Sequence, residues 1–199
     1  MKLEKIDISN IQIETARLTL RPFEEKDLDD LYEYASVVGV GEAAGWKSHE
    51  SKEESQAVLK ELIAEKHVFA IEEKESGKVV GSIGLGESPE LYKDYNLGEN
   101  INDIGYVIGR NYWDKDYACE AVVGLICYCF YKLNLDAVTC ACFKDNEASK
   151  AIIEKCGLLP VGKGKYTTQL GKTYEALYYA LTHSQYGIEY KYESEAKAE

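Results

Sequence analysis

The sequence contains no long apolar segment. None of its apolar runs reaches the roughly 18 residues that a membrane-spanning helix needs. The first residues, Met1-Lys2-Leu3-Glu4-Lys5, lack the apolar centre of a signal peptide. Hydrophobic residues still make up 45% of the 199 residues, which is enough for a sizeable core. We therefore expect a cytoplasmic protein with a single domain over residues 1–183 and a polar tail over residues 184–199.

Basic residues are also scarce. The chain has 23 Lys and Arg residues against 35 Asp and Glu residues, and its formal net charge is −12. This average field repels a phosphate backbone, so nucleic acid is not an expected partner. Without a long apolar run, a membrane is not an expected partner either. A cationic partner, such as an amine or a basic protein tail, fits the charge better. Solubility alone is the alternative explanation of an acidic surface.

Metal-binding and histidine-based catalytic patterns are missing. Four of the six cysteines form CxC pairs inside apolar runs, Cys127 with Cys129 and Cys140 with Cys142. Neither pair has zinc-ribbon spacing or a histidine close in sequence, so we expect buried apolar cysteines and no metal site. The histidines are isolated from one another and are not expected to act in catalysis: His49, His67 and His183.

Hydrophobic periodicity predicts a mixed α/β domain in the order β-α-α-β-β-β-α-β-α-β-β. The predicted strands cover residues 18–21, 68–71, 78–85, 101–109, 136–143, 158–165 and 173–181. The predicted helices cover residues 27–35, 51–66, 117–133 and 146–155. Ser51 and Glu54 form a capping box at the start of the second helix. The polar segment 86–100 is a long loop, of a length that is often functional or mobile.

One strand, turn and helix stand out. Residues 104–121 read as an apolar strand, a short polar turn and the start of a long apolar helix. Such a unit directs backbone N–H groups and the positive end of the helix dipole at one point. This arrangement is typical of a site for a phosphate-bearing ligand.

The element order and several motifs resemble the GNAT acyltransferase superfamily, and within it the branch that acetylates the N-termini of ribosomal proteins. The opening segment 14–22 is similar to the first strand of that branch, and Ile104-Gly105-Tyr106 is similar to its cofactor-binding strand. Tyr112-Trp113 followed by Tyr117-Ala118-Cys119-Glu120-Ala121 matches its cofactor turn and helix. Asn146 and Ser149 match its Asn-x-x-Ser element.

This resemblance implies acetyl-CoA as cofactor and a primary amine, either a protein N-terminus or a small molecule, as acceptor. In the family the sheet splays and the pantetheine arm pairs with exposed backbone, which maps here to Tyr106, Val107, Ile108 and Arg110. The resemblance places the pyrophosphate on the backbone of the turn: Trp113, Asp114, Lys115, Asp116, Tyr117 and Ala118.

The resemblance also gives roles to the Asn-x-x-Ser element. It implies that Asn146 contacts the cofactor arm and that Ser149 protonates the departing thiolate. A plain helix-surface hydroxyl is the alternative for Ser149.

Amine acetylation also needs a base and an oxyanion donor, whatever the family. Asp103 and Glu175 are the candidate bases, and a solvated strand residue is the alternative for each. The strand N–H of Val107 or Ile108 can stabilise the thioester oxygen. Tyr106 is a candidate for the acceptor pocket or, alternatively, a packed core aromatic.

The cofactor turn departs from the family, because Asp114-Lys115-Asp116 replaces the usual Gly-x-Gly. Asp tolerates left-handed backbone better than most residues. A carboxylate about 6 Å from a phosphate costs roughly 1 kcal/mol in water and about 3 kcal/mol at an effective dielectric of 20. The nearby cations that can offset part of this repulsion are Arg110, Lys115, Lys144 and Lys150.

Two other functions therefore stay open. A non-catalytic binding module with a degenerate acyl-CoA site is the main alternative, because of the acidic turn. A structural or assembly role rests only on the sixteen tyrosines. A homodimer formed through an exposed C-terminal strand is a further expectation.

Overall fold

The computed structural model describes residues 6–168 and 170–187. In this part of the chain eight strands form one sheet in the order β1-β2-β3-β4-β5-β6-β8-β7. The strands are β1 (Ile13–Glu14), β2 (Leu18–Pro22), β3 (Val68–Glu73), β4 (Val79–Glu87), β5 (Ile101–Ile108), β6 (Ala137–Phe143), β7 (Leu159–Thr167) and β8 (Thr173–Thr182). The helices are α1 (Leu28–Ala35), α2 (Val40–Ala44), α3 (Lys52–Glu65), α4 (Tyr117–Tyr131) and α5 (Glu147–Lys155).

The predicted mixed α/β fold is confirmed, with two short additions. The structure adds the two-residue strand β1 before the predicted first strand and the five-residue helix α2 between the first two predicted helices. Both elements are too short to show a hydrophobic period, so sequence pattern does not reveal them. The Ser51 cap is present, because its side chain accepts a hydrogen bond from Glu54 N at 3.2 Å.

The sheet separates two apolar layers. Helices α4 and α5 pack on one face, and α1 and α3 pack on the other. Helix α4 is apolar on most of its surface, as predicted, and Leu125, Cys129 and Phe130 are fully enclosed. Burial of a side chain of this size contributes roughly 2 kcal/mol, so α4 is a main source of the stability that holds the sheet in place.

The polar loop before β5 is anchored to the sheet. Residues Glu90–Asp94 form a 3₁₀ turn, and Tyr92 within it is fully buried. The Tyr92 hydroxyl lies 3.0 Å from the carbonyl oxygens of both Cys140 and Tyr179. One aromatic side chain therefore fixes a segment that reads as polar along the sequence.

The end of the described chain also packs on the core. Residues 183–187 are helical, and the Tyr186 ring lies with its centroid 5.1 Å from that of Phe130. The expected tail thus begins within the described chain, and residues 188–199 lie outside it. Within the described residues no helix is long and apolar enough to cross a membrane, and no group of three or more candidate ligands can hold a metal ion.

The sheet opens between β5 and β6, which run parallel to each other. These strands pair only where Ile101, Asn102 and Asp103 face β6. On its other side β5 stays paired with β4 along its length, from Asn102 to Ile108. The β6-facing edge of β5 is therefore free of strand pairing beyond Asp103, and a cleft forms beside it.

Candidate active site

The cleft has a volume of about 470 Å³. Its floor comes from β4, β5 and β6, and its walls come from α2, α3, β7 and α5. Of the predicted site residues, it brings together Asp103, Tyr106, Val107 and Ser149. Because these side chains come from β5 and α5, the splay of the sheet is what places them around one space.

Tyr106 and Ser149 are directly linked. The Tyr106 hydroxyl lies 3.0 Å from Ser149 Oγ and 3.3 Å from the Ser149 carbonyl oxygen. Burial raises the pKa of Tyr106 well above its ordinary value, so its hydroxyl stays protonated. When Tyr106 donates to the carbonyl, it can accept from the Ser149 hydroxyl, and these hydrogen bonds fix Ser149 at the cleft wall.

Asp103 lies at the bottom of the splay. The Thr139 hydroxyl donates to its Oδ1 at 2.6 Å, and Ser88 Oγ lies 3.0 Å from Thr139 Oγ1. Burial raises the pKa of Asp103 to about 6, and the Thr139 hydrogen bond opposes that shift. A carboxyl group with this pKa is ionised at neutral pH and is still basic enough to accept a proton.

Glu175 lies outside the cleft, although the topology of the last hairpin is as expected. Its carboxylate is exposed on β8 and pairs with Lys144 Nζ at 2.6 Å. This hydrogen bond and charge lower the pKa of Glu175. The next residue, Ala176, lines the cleft instead. Neighbouring residues of a strand point to opposite faces of the sheet. The register of β8 therefore directs Ala176, and not Glu175, into the cleft.

The predicted cofactor turn is a 3₁₀ segment, Arg110–Lys115, that leads into α4. Trp113 Nε1 donates to the Ile108 carbonyl at 2.8 Å, which fixes the turn against the end of β5. The first helical hydrogen bond shown for α4 runs from Glu120 N to the Asp116 carbonyl at 3.1 Å. The N–H groups of Tyr117, Ala118 and Cys119 precede it and have no acceptor within the helix.

Asp116 adopts the left-handed conformation where the family uses glycine, with φ 60° and ψ 15°. Its carboxylate is exposed and pairs with Lys155 Nζ of α5 at 2.7 Å. That hydrogen bond and the charge of Lys155 lower the pKa of Asp116. The ion pair places a positive charge beside this carboxylate and offsets part of the repulsion that the sequence predicts here. Asp114 is exposed, and its side chain has no ion pair within the described chain.

The cations expected to help the turn are used elsewhere. Lys115 Nζ lies 3.1 Å from Glu73 Oε1, on the β3 side of the turn. The Arg110 guanidinium lies over the Trp113 ring, 5.4 Å from its centroid. Two further expected cations, Lys144 and Lys150, pair with acidic neighbours.

Asn146 has a structural task at the start of α5. Its side-chain oxygen accepts from Ser149 N at 3.1 Å and caps the helix. Its Nδ2 group donates to the Ala43 carbonyl in α2 at 3.4 Å. The residue thus joins α2 to α5, which both line the cleft, and it positions Ser149.

Several residues of the site have no sequence signal. Glu73, Thr139 and Lys155 each contact a predicted site residue from a distant part of the chain. Glu120, in the first turn of α4, pairs with Arg17 Nε at 2.7 Å and ties α4 to the residue before β2. Such contacts depend on which elements become neighbours, and no local pattern encodes that.

These features fit a CoA cofactor. The free edge of β5 offers unpaired backbone groups, and the start of α4 offers N–H groups with no helical acceptor. Together they provide the two kinds of contact that an amide-bearing arm and a diphosphate require.

Comparisons with known proteins agree with this geometry. The family model described as "Acetyltransferase (GNAT) domain" matches residues 17–159. The chain is similar to the uncharacterized N-acetyltransferase YnaD of Bacillus subtilis, with 27% identity over 177 residues that cover 88% of this chain and 99% of the relative.

Solved structures share the fold. A GNAT-family acetyltransferase from Bacillus anthracis matches with a TM-score of 0.76 and 24% identity, over 87% of this chain and 99% of the other. The microcin C7 self-immunity acetyltransferase MccE, solved with acetyl-CoA and AMP, matches with a TM-score of 0.69 and 19% identity, over 84% of this chain and 93% of the other. The family match covers most of the folded residues, and the chain therefore belongs to the GNAT acetyltransferase family.

Proposed function

We propose that this protein is an acetyl-CoA-dependent N-acetyltransferase that transfers an acetyl group to a primary amine. The observation that carries the proposal is the free edge of β5 beside a cleft that contains the carboxylate of Asp103. Family membership and the acetyl-CoA complex of MccE support the choice of cofactor. The cofactor supplies an activated acetyl thioester.

The cofactor contacts follow the two halves of the site. The backbone of Tyr106, Val107 and Ile108 lies on the free edge of β5 and suits the amide-bearing arm. The N–H groups at the start of α4 suit the diphosphate. The N–H of Val107 or Ile108 is also the candidate donor to the thioester oxygen.

Asp103 is the proposed base for the amine. A protonated α-amine has a pKa of about 8, and a lysine side chain about 10.4. A carboxylate with a pKa of about 6 accepts a proton from an α-amine, directly or through water, at a smaller cost than from lysine. This difference and the resemblance to the ribosomal-protein branch favour an α-amine, such as a protein N-terminus.

Ser149 is the proposed acid. Its hydroxyl can give a proton to the departing thiolate and take one back from solvent in the cleft, while the Tyr106 hydroxyl, 3.0 Å away, holds Ser149 in place. Because burial raises the pKa of Tyr106, its hydroxyl keeps its proton and acts as a hydrogen-bond partner of Ser149. Glu175 is not included in the proposal, because its exposed carboxylate pairs with Lys144 outside the cleft.

The test combines cofactor binding with product detection. Calorimetric titration with acetyl-CoA is expected to show binding, and mass spectrometry is expected to show one added acetyl group on an amine. Asp103→Asn is expected to lower kcat/KM by roughly 100-fold or more, since general-base catalysis contributes factors of that size. Glu175→Gln is the matched control and is expected to change it little. No binding at millimolar acetyl-CoA would refute the proposal.

A non-catalytic binding module is the second candidate, and the acidic turn is the observation that favours it. Asp114 has no counter-ion within the described residues, and only Asp116 is paired. A module of this kind would bind acetyl-CoA or an amine but form no acetylated product. No acetylation rate would then be measurable in the unchanged protein or in Asp103→Asn.

A further inference from the structure

The face of the sheet that lines the cleft carries almost no side chains at its centre. Gly84 of β4 lies directly opposite Gly105 of β5, and Gly86 lies opposite Asp103. Ser82 and Val107 form the next pair on the same face. All six residues line the cleft, so its floor is bare backbone bordered by Asp103 at one end and Val107 at the other.

Gly105 is not required by the packing of the protein. A Cβ atom built there meets no heavy atom within 4 Å, and one at Gly86 meets only the Asp103 carbonyl at 4.0 Å. Gly84 differs, because a Cβ there would lie 2.9 Å from Val68 Cγ2. Glycine inside a strand lowers stability. At Gly105 this loss of stability is not offset by any closer packing within the protein. The glycine instead leaves an open space above the floor.

The surroundings of the floor select a type of molecule. Trp46, Leu62 and Val68 are the apolar side chains at its α2–α3 side. Asp103 is the single carboxylate among the described lining residues, and none of these is lysine or arginine. Because Asp103 is hydrogen-bonded to Thr139 and no lysine or arginine is among the described lining residues, the site attracts an ammonium group and repels a second carboxylate.

We infer that the glycine floor is the acceptor subsite, and that it takes a primary amine with a planar group next to it and no carboxylate nearby. The inference rests on the proposed function and narrows it. A planar group, either a peptide amide or an aromatic ring, can lie against bare backbone at about 3.5 Å, where side chains would exclude it. A peptide N-terminus and an arylalkylamine share this chemistry, whereas a free amino acid carries an unmatched carboxylate.

Binding measurements test the inference without turnover. Calorimetry in the presence of CoA would compare phenylalaninamide, alanyl-phenylalaninamide, phenethylamine, methylamine and free phenylalanine. In the unchanged protein, phenylalaninamide is expected to bind at least tenfold more tightly than phenylalanine. The relative affinities of alanyl-phenylalaninamide and phenethylamine distinguish a peptide N-terminus from an arylalkylamine.

Gly105→Val supplies the decisive variant. Valine suits a strand, and its Cβ meets no heavy atom within 4 Å at this position, so thermal unfolding is expected to show an intact fold. Its side chain would fill the space above the floor and weaken binding of the planar amines at least tenfold, while methylamine changes less than threefold. Gly187→Val is the matched control, since that glycine also has open space around it but lies outside the cleft.

The outcomes separate the two proposals. The subsite proposal would be overturned if Gly105→Val weakened the binding of methylamine and of the planar amines equally. It would also be overturned if the unchanged protein bound phenylalanine and phenylalaninamide with equal affinity. Selective binding with no acetylated product would keep the subsite and refute acetyl transfer. Acetylated product without any difference in affinity among these amines would support acetyl transfer and refute the subsite.

Discussion

Asp116 occupies a position in the proposed cofactor turn where the sequence resemblance predicts glycine. It takes the left-handed conformation that the turn needs, and its carboxylate is drawn towards α5 by Lys155. Asp tolerates the left-handed backbone that the turn requires. Lys155, from another element, pairs with the negative charge that Asp adds to the turn.

Replacing either member of this pair is expected to affect cofactor binding differently. Asp116→Gly is expected to change acetyl-CoA affinity less than about threefold, because an already paired charge is removed. Lys155→Ala is expected to weaken it by up to about fivefold, because an unpaired carboxylate then remains beside the turn. Calorimetric titration measures both. A gain of a hundredfold in Asp116→Gly would indicate a decayed site.

Asp103 is expected to set the acid limb of the pH profile. Its pKa of about 6 means that the base becomes ionised as pH rises through that value. The rate of acetylation, kcat/KM, is expected to increase tenfold per pH unit below about 6 and to level above it. In Asp103→Asn this limb should disappear. An unchanged limb in that variant would assign it to another group.

The same group is expected to lower the stability of the fold at neutral pH. Because the pKa of Asp103 is raised on folding, the folded state binds more protons than the unfolded chain between about pH 4 and 6. The contribution of Asp103 to the free energy of unfolding is therefore favourable below about pH 4 and is lost as pH rises through about 6. Asp103→Asn is expected to raise the free energy of unfolding at pH 7 by about 1–2 kcal/mol, measured by urea denaturation.

At the scale of elements, one buried carboxylate connects the sheet to the start of α4. Glu73 at the end of β3 accepts hydrogen bonds from Ser76 Oγ at 2.6 Å, from the Tyr117 hydroxyl and from Lys115 Nζ at 3.1 Å. These contacts, led by the Ser76 hydrogen bond, lower the pKa of Glu73 to about 2. Two of its partners, Lys115 and Tyr117, belong to the proposed cofactor turn and to α4, so Glu73 positions both elements.

Glu73→Ala is expected to destabilise the protein by about 2–3 kcal/mol, because buried donors lose their acceptor. The stability that Glu73 provides is complete above about pH 4.5 and declines as pH falls towards 2. Urea denaturation at pH 7 and pH 3 measures both effects. Glu75→Ala, in the exposed turn that follows, is the matched control and should cause little change at either pH. Equal effects of the two variants would contradict this role.

At the scale of the whole molecule, the sheet has an outer strand that bears on the proposed homodimer. Strand β7 is the last strand of the sheet, and it carries Lys163 and Lys165 together with a register shift between Pro160 and Gly162. Lysines and irregular pairing at an edge oppose the addition of another strand. A dimer formed there brings like charges together.

The proposed homodimer is therefore expected to strengthen with salt. Raising the salt concentration from about 0.05 M to 0.5 M shortens the screening length and weakens the repulsion between lysines. Sedimentation velocity is expected to show a larger dimer fraction at the higher salt concentration. A monomer at every salt and protein concentration would end the proposal.

The sequence by itself determined the order of the main elements, the burial of α4 and the family. These features are local: hydrophobic period identifies a helix or strand, and the motifs around Tyr106 and Asn146 are short. The cap of α3 at Ser51 follows from residues three positions apart and was predictable for the same reason.

The tertiary structure alone decided which of the predicted side chains share a site. It enclosed Asp103 beside Thr139, left Glu175 on the surface with Lys144, and joined Asp116 to Lys155. Each outcome depends on strand register or on contacts between elements far apart in the chain. A charge near water and the same charge buried in a splayed sheet have different proton affinities, and only the packing of the whole domain selects between them.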